Sequence, residues 1–178
     1  LAHPEWYTMT TDEATQVAAA DAVEIYNYSC VVSSARGSGI SIADFLLNEG
    51  HKISFTATDD SHFDLPDFAG GWVMVAAPKL SQDSIIAAFK AGHHYSSTGA
   101  NFTNICVEDG ILIVCTTPVH SIVLSGEGHL ASSCNGNNIT VARFDLSQFD
   151  SKWFRITARN SSGQMAWSNP YFKSDLGL

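Results

Sequence analysis

An aspartate and a histidine two residues apart, Asp60 and His62, are the side chains of this sequence best suited to chemistry. They follow Ile53–Ala57, whose alternation of apolar residues predicts a buried strand. Side chains at positions i and i+2 of an extended backbone point to the same side, so the carboxylate and the imidazole converge at the strand end. This pair suits a borderline divalent cation such as zinc, manganese or iron. A loop with an Asx-turn and a surface histidine is the simpler interpretation of the same residues.

Further polar residues are predicted at strand ends. His3 precedes a proline, which favours an extended backbone at the histidine. Asn27 ends a short apolar run that contains Glu24, and Glu24 either faces solvent or lies, like Asn27, near the metal. In parallel sheets and barrels, functional groups gather at the carboxyl ends of the strands. We therefore interpret His3, Asp60 and His62 as candidate ligands of one metal site.

Helix signals separate these strands. Thr10 and Glu13 form a predicted capping box, which starts a helix. Residues 38–48 carry apolar side chains at helical spacing, and a third helix begins near Ser81 and stops at Gly92. Alternation of strands and helices predicts parallel βαβ units in this half of the chain.

The pattern changes after residue 97, where helix signals vanish. Six short β-rich runs separated by turn residues predict an antiparallel sandwich. They are Thr103–Glu108, Ile111–Thr116, Ser121–Ser125, Asn138–Asp145, Trp153–Asn160 and Met165–Ser168. We therefore predict two domains, 1–95 and 96–178, and expect the tryptophans of the second to pack in its core or between the domains.

The dipeptide Asp109-Gly110 predicts a β-hairpin that pairs Val107 with Leu112. Cys106 and Cys115 would then be diagonal neighbours, ~7–8 Å apart, which is too far for an easy disulfide. We expect all four cysteines of the chain to be reduced.

Composition excludes some classes of protein. The 178 residues are enough for one domain or two small ones, and 45% of them are hydrophobic, as in ordinary globular proteins. The net charge of −9 argues against a nucleic-acid binder, which needs a basic face. No apolar run reaches the ~18 residues of a membrane span, so no membrane association is expected.

Several motifs resemble those of the PHP family of polymerase and histidinol phosphatase domains. In the first half they are Ala2-His3-Pro4, Val23-Glu24-Ile25-Tyr26-Asn27 and Thr58-Asp59-Asp60-Ser61-His62-Phe63. In the second half the chain is similar to bacterial PHP-domain phosphoesterases that carry an extra β-domain. The motifs there are Ala88-Phe89-Lys90-Ala91-Gly92, Tyr95-Ser96-Ser97-Thr98-Gly99 and Ala166-Trp167-Ser168-Asn169-Pro170.

This resemblance implies a distorted (β/α)7 barrel that holds two or three divalent metals at the carboxyl ends of its strands and hydrolyses phosphoesters. It makes His3 the histidine of the family's third motif, and Asp60 and His62 its last Asp-x-His. The family's N-terminal His-x-His, and the Asp/His and Glu motifs after it, are absent from these residues. No catalytic residue is assigned, and we expect about half of the ligands of a family site.

The sequence thus predicts the C-terminal portion of a PHP barrel (1–95) followed by a small antiparallel β-sandwich (96–178). We expect part of a cytoplasmic, bacterial, metal-dependent phosphoesterase that uses zinc, manganese or iron and has little activity alone. We read Leu1-Ala2 as the end of an apolar strand and expect a fragment, either a cloned domain or a cleavage product. A truncated barrel exposes an edge strand, so we also expect pairing with its own N-terminal half or with a second copy.

Three other functions remain open. The β-domain could be a non-catalytic binding module for a carbohydrate or a protein, which exposed Trp and Phe on a sheet face would favour. The chain could be an interaction piece that works only when docked to its N-terminal half. It could also belong to a metal-dependent hydrolase of a different bond, since metal-bound hydroxide attacks carbonyls as well.

Overall fold

The computed structural model describes residues 1–178, which divide after Ser96 into two compact units. The helices and strands up to that boundary are α1 (Thr11–Gln16), β1 (Ala22–Asn27), α2 (Tyr28–Ser34), α3 (Ile40–Asn48), β2 (Ser54–Thr58), β3 (Trp72–Val75), α4 (Gln82–Lys90) and β4 (His94–Ser97). The strands that follow are β5 (Phe102–Glu108), β6 (Ile111–Gly126), β7 (Ala131–Asp145), β8 (Trp153–Arg159), β9 (Met165–Ser168) and β10 (Tyr171–Phe172). Short 3-10 helices cover Leu146–Gln148 and Lys173–Leu176.

A parallel ladder organises the first unit. Strands β1 and β2 pair in parallel, so that Asn27 lies opposite Thr58 at their carboxyl ends. On the other edge of β1, the amino group of Leu1 donates to the carbonyl of Ala22 at 2.7 Å, and the Leu1 carbonyl accepts from the amide of Glu24 at 2.9 Å. This is the bonding of a parallel pair. Three backbone segments therefore run in one direction and end at one edge.

The core of the first unit forms between α3 and this ladder. Leu46 and Leu47 lie one turn after Ile42 on the helix, and all three are buried. Val23 and Phe55, from β1 and β2, are fully buried as well. Burial of a large apolar side chain contributes about 1.5–3 kcal/mol, so this packing holds the ladder in place.

The predicted helix starts are confirmed. Thr10 and Glu13 form the capping box of α1, and Ser81 caps α4 by accepting from a backbone N–H. Helix α2 was not predicted. Its N-cap is Asn27, whose side-chain oxygen accepts from the amide of Cys30 at 2.8 Å.

The predicted (β/α)7 barrel, of which 1–95 were to be the C-terminal portion, is wrong. The chain is 40% strand and 21% helix, with four α-helices. The first unit has one parallel pair of strands, β1 with β2, whereas β3 and β4 belong to a different sheet. The alternation ends because residues 59–71 after β2 contain no helix. Local signals indicated helices and strands correctly, but they do not specify which strands pair.

The second unit is antiparallel, and β6 is its central strand. Its first half pairs with β5 and its second half with β8, while β7 runs along its other edge. Strands β9 and β10 both pair with β8. The predicted β-sandwich is wrong, because all six strands belong to one hydrogen-bonded sheet. Its buried side includes Leu112 and Leu124 of β6 and Ile156 of β8.

The two runs predicted at Ile111–Thr116 and Ser121–Ser125 form a single strand. Its register against β7 shifts between Cys115 and Ser121. Pro118 lies in this interval and has no N–H for the ladder, which explains why the pairing is interrupted there. The sequence pattern marked this interruption as a loop.

The predicted hairpin is confirmed, with Val107 paired to Leu112. Asp109 and Gly110 have φ angles of 49° and 79°, and two successive positive values are those of a type I′ turn. The four cysteines form no disulfide. The longest helices, α3 and α4, have nine residues, and no helix combines the length and the apolar composition that a bilayer span needs.

Candidate functional site

A cluster of hydrogen-bonded polar side chains lies where the three parallel segments end. Glu24 is at its centre and is buried. One carboxylate oxygen accepts from the backbone N–H of His3 at 2.6 Å and from the side-chain amide of Asn27 at 3.0 Å, and the other accepts from the hydroxyl of Thr58. A buried carboxylate is tolerated only with such donors. Glu24 therefore joins the ends of Leu1–His3, β1 and β2.

The amide of Asn27 connects this carboxylate to a second one. Asn27 is 1% exposed, and its nitrogen donates to Glu24 and to Asp60, each at 3.0 Å. Its oxygen is used by the cap of α2, so every part of the amide is engaged. Asn27 thus holds the exposed carboxylate of Asp60 beside the buried one of Glu24.

Two of the predicted ligands have unusual backbones. His3 has φ 27° and Asp60 has φ 51°, positive values that are uncommon for residues with a Cβ, although aspartate adopts them more readily than most. The His3 ring packs against Trp6 and Tyr7, with centroid distances of 5.3 and 5.0 Å, and its Nδ1 is buried without a hydrogen-bond partner. Strain of this kind clusters at functional sites.

His62 follows Asp60 in the same loop and faces solvent. Its side chain is 65% exposed, and its Nδ1 lies 4.0 Å from the carboxylate of Asp67. Asp67 is fully buried and accepts from the backbone N–H of His62 at 3.0 Å and from the hydroxyls of Ser29 and Ser61. These hydrogen bonds, led by that of His62, hold the pKa of Asp67 below its usual range. Asp67 is therefore ionised and holds the backbone of His62 in place.

Asp59, adjacent to Asp60, has a structural role. Its carboxylate accepts from the backbone N–H groups of Ala69, Gly70 and Gly71 at 2.7–2.8 Å. These bonds close the loop 59–71 at its base. The Asp59 carboxylate is therefore engaged in hydrogen bonds within the chain.

Cys30 lies close to the cluster but is not a thiolate. Burial, together with the nearby charges of Asp60 and Glu24, raises the pKa of its thiol. A protonated, buried thiol is a poor nucleophile.

The donor types of the predicted ligands fit a borderline divalent cation, since the three residues offer two imidazoles and a carboxylate. The Nδ1 atom of His3 makes no hydrogen bond within the chain and is therefore available to coordinate a metal ion. The structure links His3 to Asp60 through Glu24 and Asn27 and puts His62 two residues beyond Asp60. It does not bring any three His, Cys, Asp or Glu side chains into an arrangement that could hold a metal ion. The metal assignment stays a prediction.

Sequence reasoning missed the residues that support the site. Thr58 is predicted only as part of the motif that follows the strand, and no role is predicted for Asp67 or Ser29. An aspartate in a loop and a serine near a strand end carry no periodic signal, so their shared hydrogen bond is visible only in three dimensions. The predicted core role of the tryptophans in the second unit agrees with the burial of Trp153 and Trp167.

Comparison with protein-family models, with curated proteins and with solved structures finds no match for this chain.

Proposed function

We propose that this chain contributes part of the active site of a divalent-metal-dependent phosphoesterase, with His3, Asp60 and His62 as metal ligands. The observation that carries the proposal is the shared edge of three parallel segments, at which Glu24 and Asn27 link His3 to Asp60. The motif resemblance to PHP phosphoesterases supports the same three residues as ligands, although the chain does not form the (β/α)7 barrel of that family.

Each ligand has a supporting partner in the chain. Glu24 holds the backbone of His3, Asn27 orients the carboxylate of Asp60, and Asp67 holds the backbone of His62. A divalent cation bound there would supply Lewis acidity toward a phosphoryl oxygen and lower the pKa of water. The protein's contribution is to position donors, and strained backbones at two of them suit that role.

We further propose that the remaining ligands come from another segment, either the N-terminal half of the same enzyme or a second copy of this chain. The PHP resemblance implies two or three metals, and three side chains are too few to coordinate that many. A cytoplasmic location also belongs to the proposal, and it is supported by the four unpaired cysteines.

Metal binding tests the proposal directly. Zinc and manganese are titrated calorimetrically into the wild-type chain and into the variants Asp60→Asn and His62→Asn, with Asp64→Asn as the matched control. We expect each ligand variant to weaken binding by roughly tenfold, as loss of a coordinating group does, and the control to bind like the wild type. Equal affinities in all four proteins would reject the ligand assignment.

Hydrolysis tests the reaction. With p-nitrophenyl phosphate and bis(p-nitrophenyl) phosphate as substrates, we expect weak metal-dependent activity from the chain alone and a large increase when the proposed ligand-bearing segment is supplied. Metal binding at Asp60 without any phosphoester hydrolysis in the completed assembly would exclude a phosphoesterase.

The alternative of a carbohydrate- or protein-binding module in the second unit receives no support from aromatic residues. None of the aromatic side chains in residues 97–178 is exposed, and Trp153, Phe154 and Trp167 are buried. An aromatic platform on an exposed sheet face, which that function would use, is therefore lacking in this unit.

A further inference from the structure

The exposed aromatic side chains of the chain are all found beside the candidate metal site. They are Trp6 and Tyr7 in the loop after His3, and Phe63 and Phe68 in the loop after β2. They are between 45% and 78% exposed, and every other aromatic side chain is at least partly buried. Large rings left in solvent at one edge of a fold are typical of a binding surface.

The rings form two pairs, one on each loop. The centroids of Trp6 and Tyr7 are 4.8 Å apart, and those of Phe63 and Phe68 are 6.1 Å apart. The two loops follow Leu1–His3 and β2, which bond to opposite edges of β1, so both loops begin at the carboxyl end of this ladder. A cation seated on either pair of rings would lie within the ~6 Å over which an aromatic face attracts it.

The charge of the two loops favours a cation. Residues 3–10 and 59–71 contain five acidic residues and no lysine or arginine; the five are Glu5, Asp59, Asp60, Asp64 and Asp67. The carboxylates of Asp59 and Asp67 accept hydrogen bonds from within residues 59–71. Glu5 lines a surface depression together with Arg36. Asp60 and Asp64 are exposed. An anionic or nucleic-acid ligand would meet carboxylates here without a basic partner.

We propose that this rim, defined as Trp6, Tyr7, Phe63 and Phe68, binds a quaternary ammonium group. Aromatic faces next to carboxylates recognise such groups, because the charge is spread over methyl groups that pack against rings and need no hydrogen-bond acceptor. The assignment of a substrate rests on the proposed function: a phosphoester whose alcohol carries a trimethylammonium group, as in phosphocholine. Hydrolysis breaks the bond from phosphorus to the alcohol oxygen, with water giving its oxygen to phosphorus and a proton to the departing alcohol.

The test compares choline with its neutral isostere 3,3-dimethylbutan-1-ol, which has the same shape without the charge. Each is titrated into the full chain in the presence of a chelator, and binding is followed by ligand NMR and by tryptophan fluorescence. We expect choline to bind at least fivefold more tightly, as a cation–π contribution of about 1 kcal/mol requires. Equal binding of the two ligands, or no binding of choline, would overturn the proposal.

Variants distinguish recognition of choline by aromatic rings from nonspecific apolar binding. Trp6→Leu and Phe63→Leu keep an apolar side chain but remove the aromatic face, and each should weaken choline binding roughly fivefold. Leu80→Ala is the control, since Leu80 is 98% exposed and lies outside both loops. A loss in the control equal to that in the ring variants would indicate unspecific apolar binding and reject the rim.

The two proposals can fail separately. Choline binding is measured without metal, so it survives if the chain binds no zinc and hydrolyses nothing, and only the phosphoesterase proposal is then lost. If metal binding is intact but choline binds no more tightly than 3,3-dimethylbutan-1-ol, only the proposed binding of quaternary ammonium at the rim is rejected. If both hold, kcat/KM for phosphocholine should exceed that for 3,3-dimethylbutyl phosphate by a similar factor, and equal values would reject the substrate assignment.

Discussion

The side-chain amide of Asn27 donates a hydrogen bond of 3.0 Å to the carboxylate of Asp60, although 33 residues separate them in sequence. The same nitrogen donates a second hydrogen bond to the buried Glu24. A single neutral amide therefore stands between two carboxylates and keeps them in fixed positions. Its contacts tie the end of β1 to the loop that carries Asp60 and His62.

Replacement of this amide is expected to be costly. Asn27→Ala removes the N-cap of α2, worth about 1 kcal/mol, and leaves the buried Glu24 with one donor fewer, worth about 1–3 kcal/mol. The free energy of unfolding should fall by roughly 2–4 kcal/mol in urea titrations. Asn137→Ala, at an exposed position of β7, is the control and should change it by less than about 0.5 kcal/mol. Similar losses in the two variants would show that the network adds nothing.

Loss of the Asp67 carboxylate should loosen the loop beneath His62. Asp67→Ala leaves the His62 amide and the hydroxyls of Ser29 and Ser61 without their acceptor. We expect the His62 amide to exchange its hydrogen at least about tenfold faster, because local opening exposes it. Hydrogen exchange read by NMR measures this, with Asp64→Ala as the control in the same loop. Unchanged protection of His62 would mean that the loop is held by other contacts.

The buried His94 should make the chain less stable in mild acid. Burial lowers the pKa of His94 below its usual value of 6.5, although a hydrogen bond with the Phe55 carbonyl at 3.2 Å opposes this. The unfolded chain then takes up a proton at a pH where the folded chain does not. The contribution of His94 to the free energy of unfolding is therefore fully present above pH 6.5 and is lost as the pH drops below that value.

The variant His94→Gln should flatten this pH dependence. The urea midpoint of the variant is compared with that of the wild type between pH 7 and pH 5, and His93→Gln at the exposed neighbouring position serves as the control. An equally steep decline in His94→Gln would place the responsible group elsewhere.

The hairpin turn offers a prediction of backbone strain alone. An alanine at position 110 would have φ near 79°, and no atom lies within 4 Å of its Cβ, so the cost is conformational. Gly110→Ala should lower the free energy of unfolding by about 1–2 kcal/mol. Gly136→Ala, in a strand without a positive φ, should be close to neutral. Denaturation curves that rank the two in the opposite order would contradict a type I′ turn.

The elements that sequence reasoning identified are those whose signals are local. The capping box joins Thr10 to Glu13, three positions apart, and Asp109-Gly110 sets the hairpin register through its own backbone preference. Ser81 likewise marked the start of α4. In each case the group that receives the hydrogen bond, or adopts the required φ angle, lies within one turn of the chain.

Tertiary structure alone decided which segments meet. Apolar alternation predicted that Ile53–Ala57 is a strand but not that its single parallel partner is β1, nor that β3 belongs to another sheet. It also left open whether Glu24 faces solvent, and the answer depends on donors from His3 and Thr58, which are 21 and 34 residues away. A carboxylate is buried only where such distant donors replace water, and packing determines where they lie.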